Sequence, residues 1–130
     1  MSNTIEIEVA PGELIDKLTI LEIKRERIQD AEKLANVEIE FAALRSVCEA
    51  GIRSTASLLA LRAELREVNG RLWEIEDEIR DCEQRQDFGA AFIALARAVY
   101  RTNDRRAELK RQINLLLGSS LIEEKSYRPY

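Results

Sequence analysis

Apolar residues recur every three or four positions along most of this chain, and each run is bounded by residues that start or stop helices. Leu14, Leu18, Leu21 and Ile28 form one seam after Pro11, while Ile15, Ile20 and Ile23 point elsewhere from the same helix. A helix apolar on more than one side is expected to touch two neighbours. Pro11 suits a first helical turn, where its missing N–H costs nothing, and Glu13 sets negative charge at the positive end of the helix dipole. Asp30 can cap a second helix whose seam is Leu34, Val37, Phe41, Leu44 and Cys48, stopped by Gly51. Ser54 or Thr55 can cap a third, whose seam of Leu58, Leu61, Leu65, Val68, Leu72, Ile75, Ile79 and Cys82 is an unbroken heptad run about 37 Å long. Asp87 is the expected cap of a fourth, which Gly118 ends.

The opening of the chain has a different period. Ile5, Ile7 and Val9 alternate with Glu6 and Glu8, as in a half-buried strand. Such a strand needs backbone partners. Two sources are available: the C-terminal tail, with Lys125 and Arg128 placed to meet Glu6 and Glu8, or the same strand of a second copy. The expected fold is therefore all-α, an antiparallel helical bundle or coiled-coil hairpin of about four helices with a short N-terminal strand. The expected layout is one domain over 1–130, with a strand at 5–9, helices at 11–29, 33–50, 56–85 and 88–117, and a tail at 119–130. Five glycines and two prolines leave little material for long loops, and 5% aromatic residues argue against an all-β chain.

The fourth helix breaks its own chemistry while keeping its period. Phe88, Phe92, Leu95 and Val99 are followed by Thr102 and Arg106 before Leu109, Ile113 and Leu116 resume the seam. A short turn near residue 87 makes the third and fourth helices an antiparallel hairpin and sets Arg106 at the level of Val68, beside Asn69-Gly70. Glycine inside a helix costs about 1 kcal/mol relative to alanine, so two local penalties coincide at one height. The expected polar layer draws on Asn69, Trp73, Glu76, Arg101, Asn103 and Arg106 as candidate ligand- or partner-binding residues. One account of it is structural, a polar residue at a seam position fixing register. On that account Arg106→Leu keeps or raises stability, because it removes a charge that is costly to desolvate. The other account is a pocket in which Arg101 or Arg106 holds a carboxylate or phosphate and Asn69 or Asn103 orients it. Glu74, Glu76 and Asp77 read as a solvated acidic face rather than as catalytic carboxylates.

Charge and composition narrow the chemistry. The net charge is −4, but Glu74 to Asp87 is acid-rich and Arg97 to Arg111 base-rich, so the two segments can neutralise each other. An acidic chain with an opposed basic stripe is a poor nucleic-acid binder. The chain contains no histidine, which removes Ser-His and Cys-His catalysis and histidine-based zinc or di-iron sites. No catalytic residue, metal site or cofactor is expected. Cys48 and Cys82 lie on apolar seam positions and read as sheltered thiols. No run approaches the ~18 apolar residues of a membrane span and no signal peptide is visible, so a cytoplasmic location is expected.

The blocks PGELIDKLTILEIK, KLANVEIE, LWEIEDEIR, YRTNDRRAELKRQINLLLG and EEKSY, spread over nearly the whole chain, resemble a family of small bacterial proteins of unknown function. The resemblance implies a bacterial source and carries no reaction, cofactor or substrate with it. Two functional classes follow from the residues. The first is a non-enzymatic helical interaction or adaptor module, expected as a homodimer because the helices have more apolar faces than a four-helix monomer buries, with a further protein partner fitting the same surfaces. The second is a small-molecule enzyme or anion-binding protein with a polar interhelical pocket. It resembles the all-helical chorismate mutases in architecture alone and lacks the early arginine expected of them.

Overall fold

Helix boundaries follow the capping residues closely. The computed structural model describes residues 3–130, and among them it forms α1 (Pro11–Arg27), α2 (Ala31–Gly51), α3 (Ala56–Gln84) and α4 (Ala90–Leu116), with no strand. Asp30 accepts from the Lys33 N–H at 2.8 Å and Thr55 from the Leu58 N–H at 3.2 Å, so both caps satisfy a backbone donor left free at a helix start. Gly118 adopts φ +65° just past α4, the left-handed conformation that glycine tolerates without strain. Asp87 departs from its expected role. The reversal between α3 and α4 is made by Gln86 at φ +57°, and the Asp87 carboxylate turns onto the loop, accepting from the Gly89 N–H at 3.1 Å, so that Gly89 becomes the N-cap.

Packing organises the four helices around α1. Its Leu14, Leu18 and Leu21 meet Val37 and Phe41 of α2 in one apolar cluster, while Ile15 joins Leu58 and Leu65 of α3 and Leu109 and Ile113 of α4 in another. These are the two faces that its sequence presents. α3 and α4 form the most extensive helix pair, α1 lies against both, and α2 packs on α1 alone among the described residues. Cys82 is buried in the hairpin, whereas Cys48 is only half-buried at the margin of the α1–α2 cluster and so is less sheltered than its seam position suggests.

α1 approaches α4 closely at Gly12. A Cβ built there would lie 2.5 Å from the Lys110 backbone oxygen and 2.8 Å from Asn114 Oδ1. The Gly12 N–H donates to that buried Asn114 oxygen at 2.7 Å. α1 has no side-chain cap of its own at Ala10, so a residue more than one hundred positions away satisfies one of its orphan donors.

The N-terminal strand does not form. Residues 5–9 are irregular, with Ile5 88% and Ile7 77% exposed. The expected cis partner is engaged elsewhere: the tail after Gly118 returns along α4, where complementary charges hold it. Glu123 meets Lys110 at 3.2 Å, Glu124 meets Arg111 at 3.1 Å, and Lys125 meets Asp104 at 2.7 Å rather than Glu6 or Glu8. At its end the Tyr130 hydroxyl donates to Asp104 at 2.8 Å and its ring packs edge-on against Tyr100. None of the described helices is long and apolar enough to cross a membrane.

Candidate functional site

The polar layer is organised by Asp16 of α1, a residue that the spacing of the fourth helix does not reveal. Asp16 is 1% exposed, and Arg106 grips it bidentately, Nε to Oδ1 at 3.0 Å and Nη2 to Oδ2 at 2.5 Å. Such fork-to-fork pairing is the strong form of a charge-assisted hydrogen bond. Asn69 of α3 donates through Nδ2 to Asp16 Oδ1 and to Thr19 Oγ1, both at 2.9 Å, and the Thr19 hydroxyl donates to the Asp16 carbonyl at 2.8 Å. The network therefore ties α1, α3 and α4 together at one level. The bond to Asp16 raises the Arg106 pKa against the opposing effect of burial. Asp16 is legible in hindsight: on the helical wheel it falls between Ile23 and Ile20, so it sets a charge inside the second apolar face of α1, which the hairpin then buries.

Of the six residues expected at the layer, Asn69 and Arg106 are brought together on Asp16. Asn103 adjoins Arg106 on α4 but faces a groove beneath the tail. The others are not assembled. Trp73 is half-buried, Glu76 pairs with Arg80 one turn along α3 at 3.1 Å, and Arg101 is exposed in a shallow depression with Glu67 and Arg71. The acidic and basic segments do not neutralise each other either. Arg105 pairs with Glu64 and Glu108, Lys110 with Glu13 and Glu123, and Arg111 with Glu124, while Glu74 is taken by Arg27 and Arg71. The hairpin register sends most of the basic stretch of α4 toward α1, the first half of α3 and the tail.

The groove under the tail measures about 510 Å³. Arg106, Lys110 and Asn103 line it from α4, and Glu123, Lys125 and Tyr127 line it from the tail. Lys110 bridges two elements, bonding Glu13 of α1 at 2.7 Å as well as Glu123. Burial pushes its pKa down, but the hydrogen bonds to Glu13 and Glu123 outweigh this, and the net shift is upward. The described residues contain no cluster of acidic or cysteine side chains spaced to hold a metal ion.

The chain belongs to the family of unknown function DUF6165, whose model matches residues 5–129. No curated protein and no solved structure matches it. Membership spans every element described above, from the irregular opening segment through the Asp16 network to the tail, and brings no assigned activity to any of them.

Proposed function

We propose that the protein is a non-enzymatic helical interaction module that pairs with a second copy of itself through the outer face of α2. What carries this reading is the mismatch between the sequence of α2 and its packing. A surface helix is normally charged on the side away from its core contact. Opposite Val37 and Phe41, however, α2 presents Ala35, Ile39, Ala42, Ala43, Ser46, Val47 and Ala50, none of them charged, and Ile39 and Val47 are 70% and 59% exposed. Apart from Glu32 in the first turn, the charges of α2 lie on its flanks, where Glu38 and Arg45 already pair with Arg25 and Glu49.

A second copy is the occupant that this face suits. The stripe carries one charge, Glu32 in the first turn of α2; antiparallel pairing about a two-fold axis sets the Glu32 side chains of the two copies at opposite ends, and the small side chains let two helices approach closely on equal terms. A partner of opposite charge would find only Glu32 to recognise. The Asp16 network supports the same reading, because its carboxylate is engaged by Arg106 and Asn69 in holding helices together and is not a free acid or base.

Light scattering on the intact protein and on Ile39→Glu/Val47→Glu tests it. Both positions are exposed, so the variant should keep its helicity and fold. The intact protein is expected to be dimeric and the variant monomeric at micromolar concentration. Equal masses for the two would overturn the reading.

A further inference from the structure

We propose that the groove between α4 and the C-terminal tail binds a small, multiply charged oxyanion, a dicarboxylate or a phosphate, and that Glu123 is the chain's own competitor for the position. Its lining sets three cations, Arg106, Lys110 and Lys125, against two tail carboxylates, Glu123 and Glu124, and Arg111 neutralises the second of these. Arg106 spends Nε and Nη2 on Asp16, and its Nη1 donates to no described residue. Lys110 has three N–H donors and uses one on Glu13. Asn103 and Tyr127 also line the groove, and neither side chain has a hydrogen-bond partner among the described residues.

The fixed carboxylates of the helices already balance the cations, Asp16 against Arg106, Glu13 against Lys110 and Asp104 against Lys125. Glu123 nevertheless enters as an additional anion. It is held loosely: its bond to Lys110 is 3.2 Å against 2.7 Å for Glu13, and its side chain is 66% exposed. A pair so open to solvent on its acid side is weak. Glu123 also reaches Lys110 without bonding Arg106.

These features select the ligand class. Arg106 and Lys110 are one turn apart on the same face of α4, where side chains are neighbours. An anion with two charged ends, or with several oxygens on one centre, can engage both residues at once. A lone carboxylate gains no more than Glu123 does, and it must compete with a tethered group whose effective concentration is in the millimolar range. A second charge is what allows a free ligand to win, and its entry lifts the tail from Lys110.

Titrations with inorganic phosphate, succinate and acetate at constant ionic strength, followed by backbone NMR on the intact chain and on Glu123→Gln, separate the outcomes. Phosphate or succinate should shift the amide signals around Asn103 to Lys110 and those of the tail, with acetate far weaker. The better of the two names the ligand class. Glu123→Gln should bind on the order of fivefold tighter, since the competing ion pair is gone. Asn103→Leu, which leaves the Asp16 network untouched, should bind more weakly while keeping the spectrum of the folded protein. If Glu123→Gln binds neither anion better than chloride, or binds no tighter than the intact chain, the proposal is overturned. Neither result bears on pairing through α2, which is read by molecular mass.

Discussion

Arg106→Leu completes the apolar repeat of α4, and the spacing alone predicts that stability would hold or rise. The Asp16 pairing reverses the sign. Leucine would leave a carboxylate that is 1% exposed without its counter-charge, and breaking a buried pair from one side costs about 3–5 kcal/mol. Urea denaturation should show that loss for Arg106→Leu. The double variant Asp16→Leu/Arg106→Leu should recover much of it, because replacing both members of a buried pair by apolar groups is often close to neutral, and Asn69 retains Thr19 as an acceptor. Gly12→Ala is a second test at this scale. Its Cβ would press on the Lys110 backbone, which cannot rotate away as a side chain could, so a loss of about 1–3 kcal/mol is expected. The partly legible site follows from the same facts. Arg106 stands out because it interrupts a periodic seam and Asn69 because it sits beside a helical glycine at the same level, whereas Asp16 interrupts only the looser second face of α1, and Thr19 and Asn114 acquire their roles only when α1 is laid across the hairpin.

Elements were legible in proportion to how much of their stability is local. All four helices were marked by period, and α2 and α3 also by their caps Asp30 and Thr55, whose hydrogen bonds span three residues. The strand at 5–9 was not a local question, because a strand exists only with a partner, and the tail that could have supplied one finds better charge complementarity on α4. That attachment titrates. The Lys125 hydrogen bond, followed by that of Tyr130, lowers the Asp104 pKa below its ordinary 3.8. A carboxylate whose pKa is depressed on folding contributes its stabilisation fully above the unfolded value and loses it as pH falls through the folded one. The tail end should therefore stay docked above pH 3.8 and come free only at more acid pH, as followed by the Tyr127 and Tyr130 ring signals in NMR. At the alkaline side, the bond to Asp104 raises the Tyr130 pKa above its ordinary 10.0, so the hydroxyl contact should persist beyond pH 10 and vanish as the phenol ionises. A tail equally docked at pH 2 and pH 7 would show that the Tyr100–Tyr130 ring contact, rather than Asp104, holds it.

At the scale of the whole molecule, α1 is the helix that touches the other three described helices, and the two apolar clusters on its faces are joined through Ile52, which packs at the margin of both. So narrow a junction allows the two clusters to unfold separately. The hairpin of α3 and α4 keeps its own seam, with Leu65 and Leu109 fully buried, whereas α2 has only Val37 and Phe41 buried and no second helix to lean on within the chain. Amides of α2 should therefore exchange faster than those of α3 and α4. Phe41→Ala removes the largest side chain of the α1–α2 cluster, a change that typically costs about 3–5 kcal/mol in a core. The loss should appear as near-complete loss of protection across Ala31–Gly51, with protection at Leu65, Leu109 and Ile113 little changed. If α2 pairs with a second copy, protection of its amides in the intact protein should also rise with protein concentration, while that of the hairpin should not, because association stabilises only the segment it covers. Hydrogen exchange by mass spectrometry at two concentrations reads both effects together. Uniform loss of protection in Phe41→Ala would mean that α1 transmits the damage and that the two clusters unfold as one.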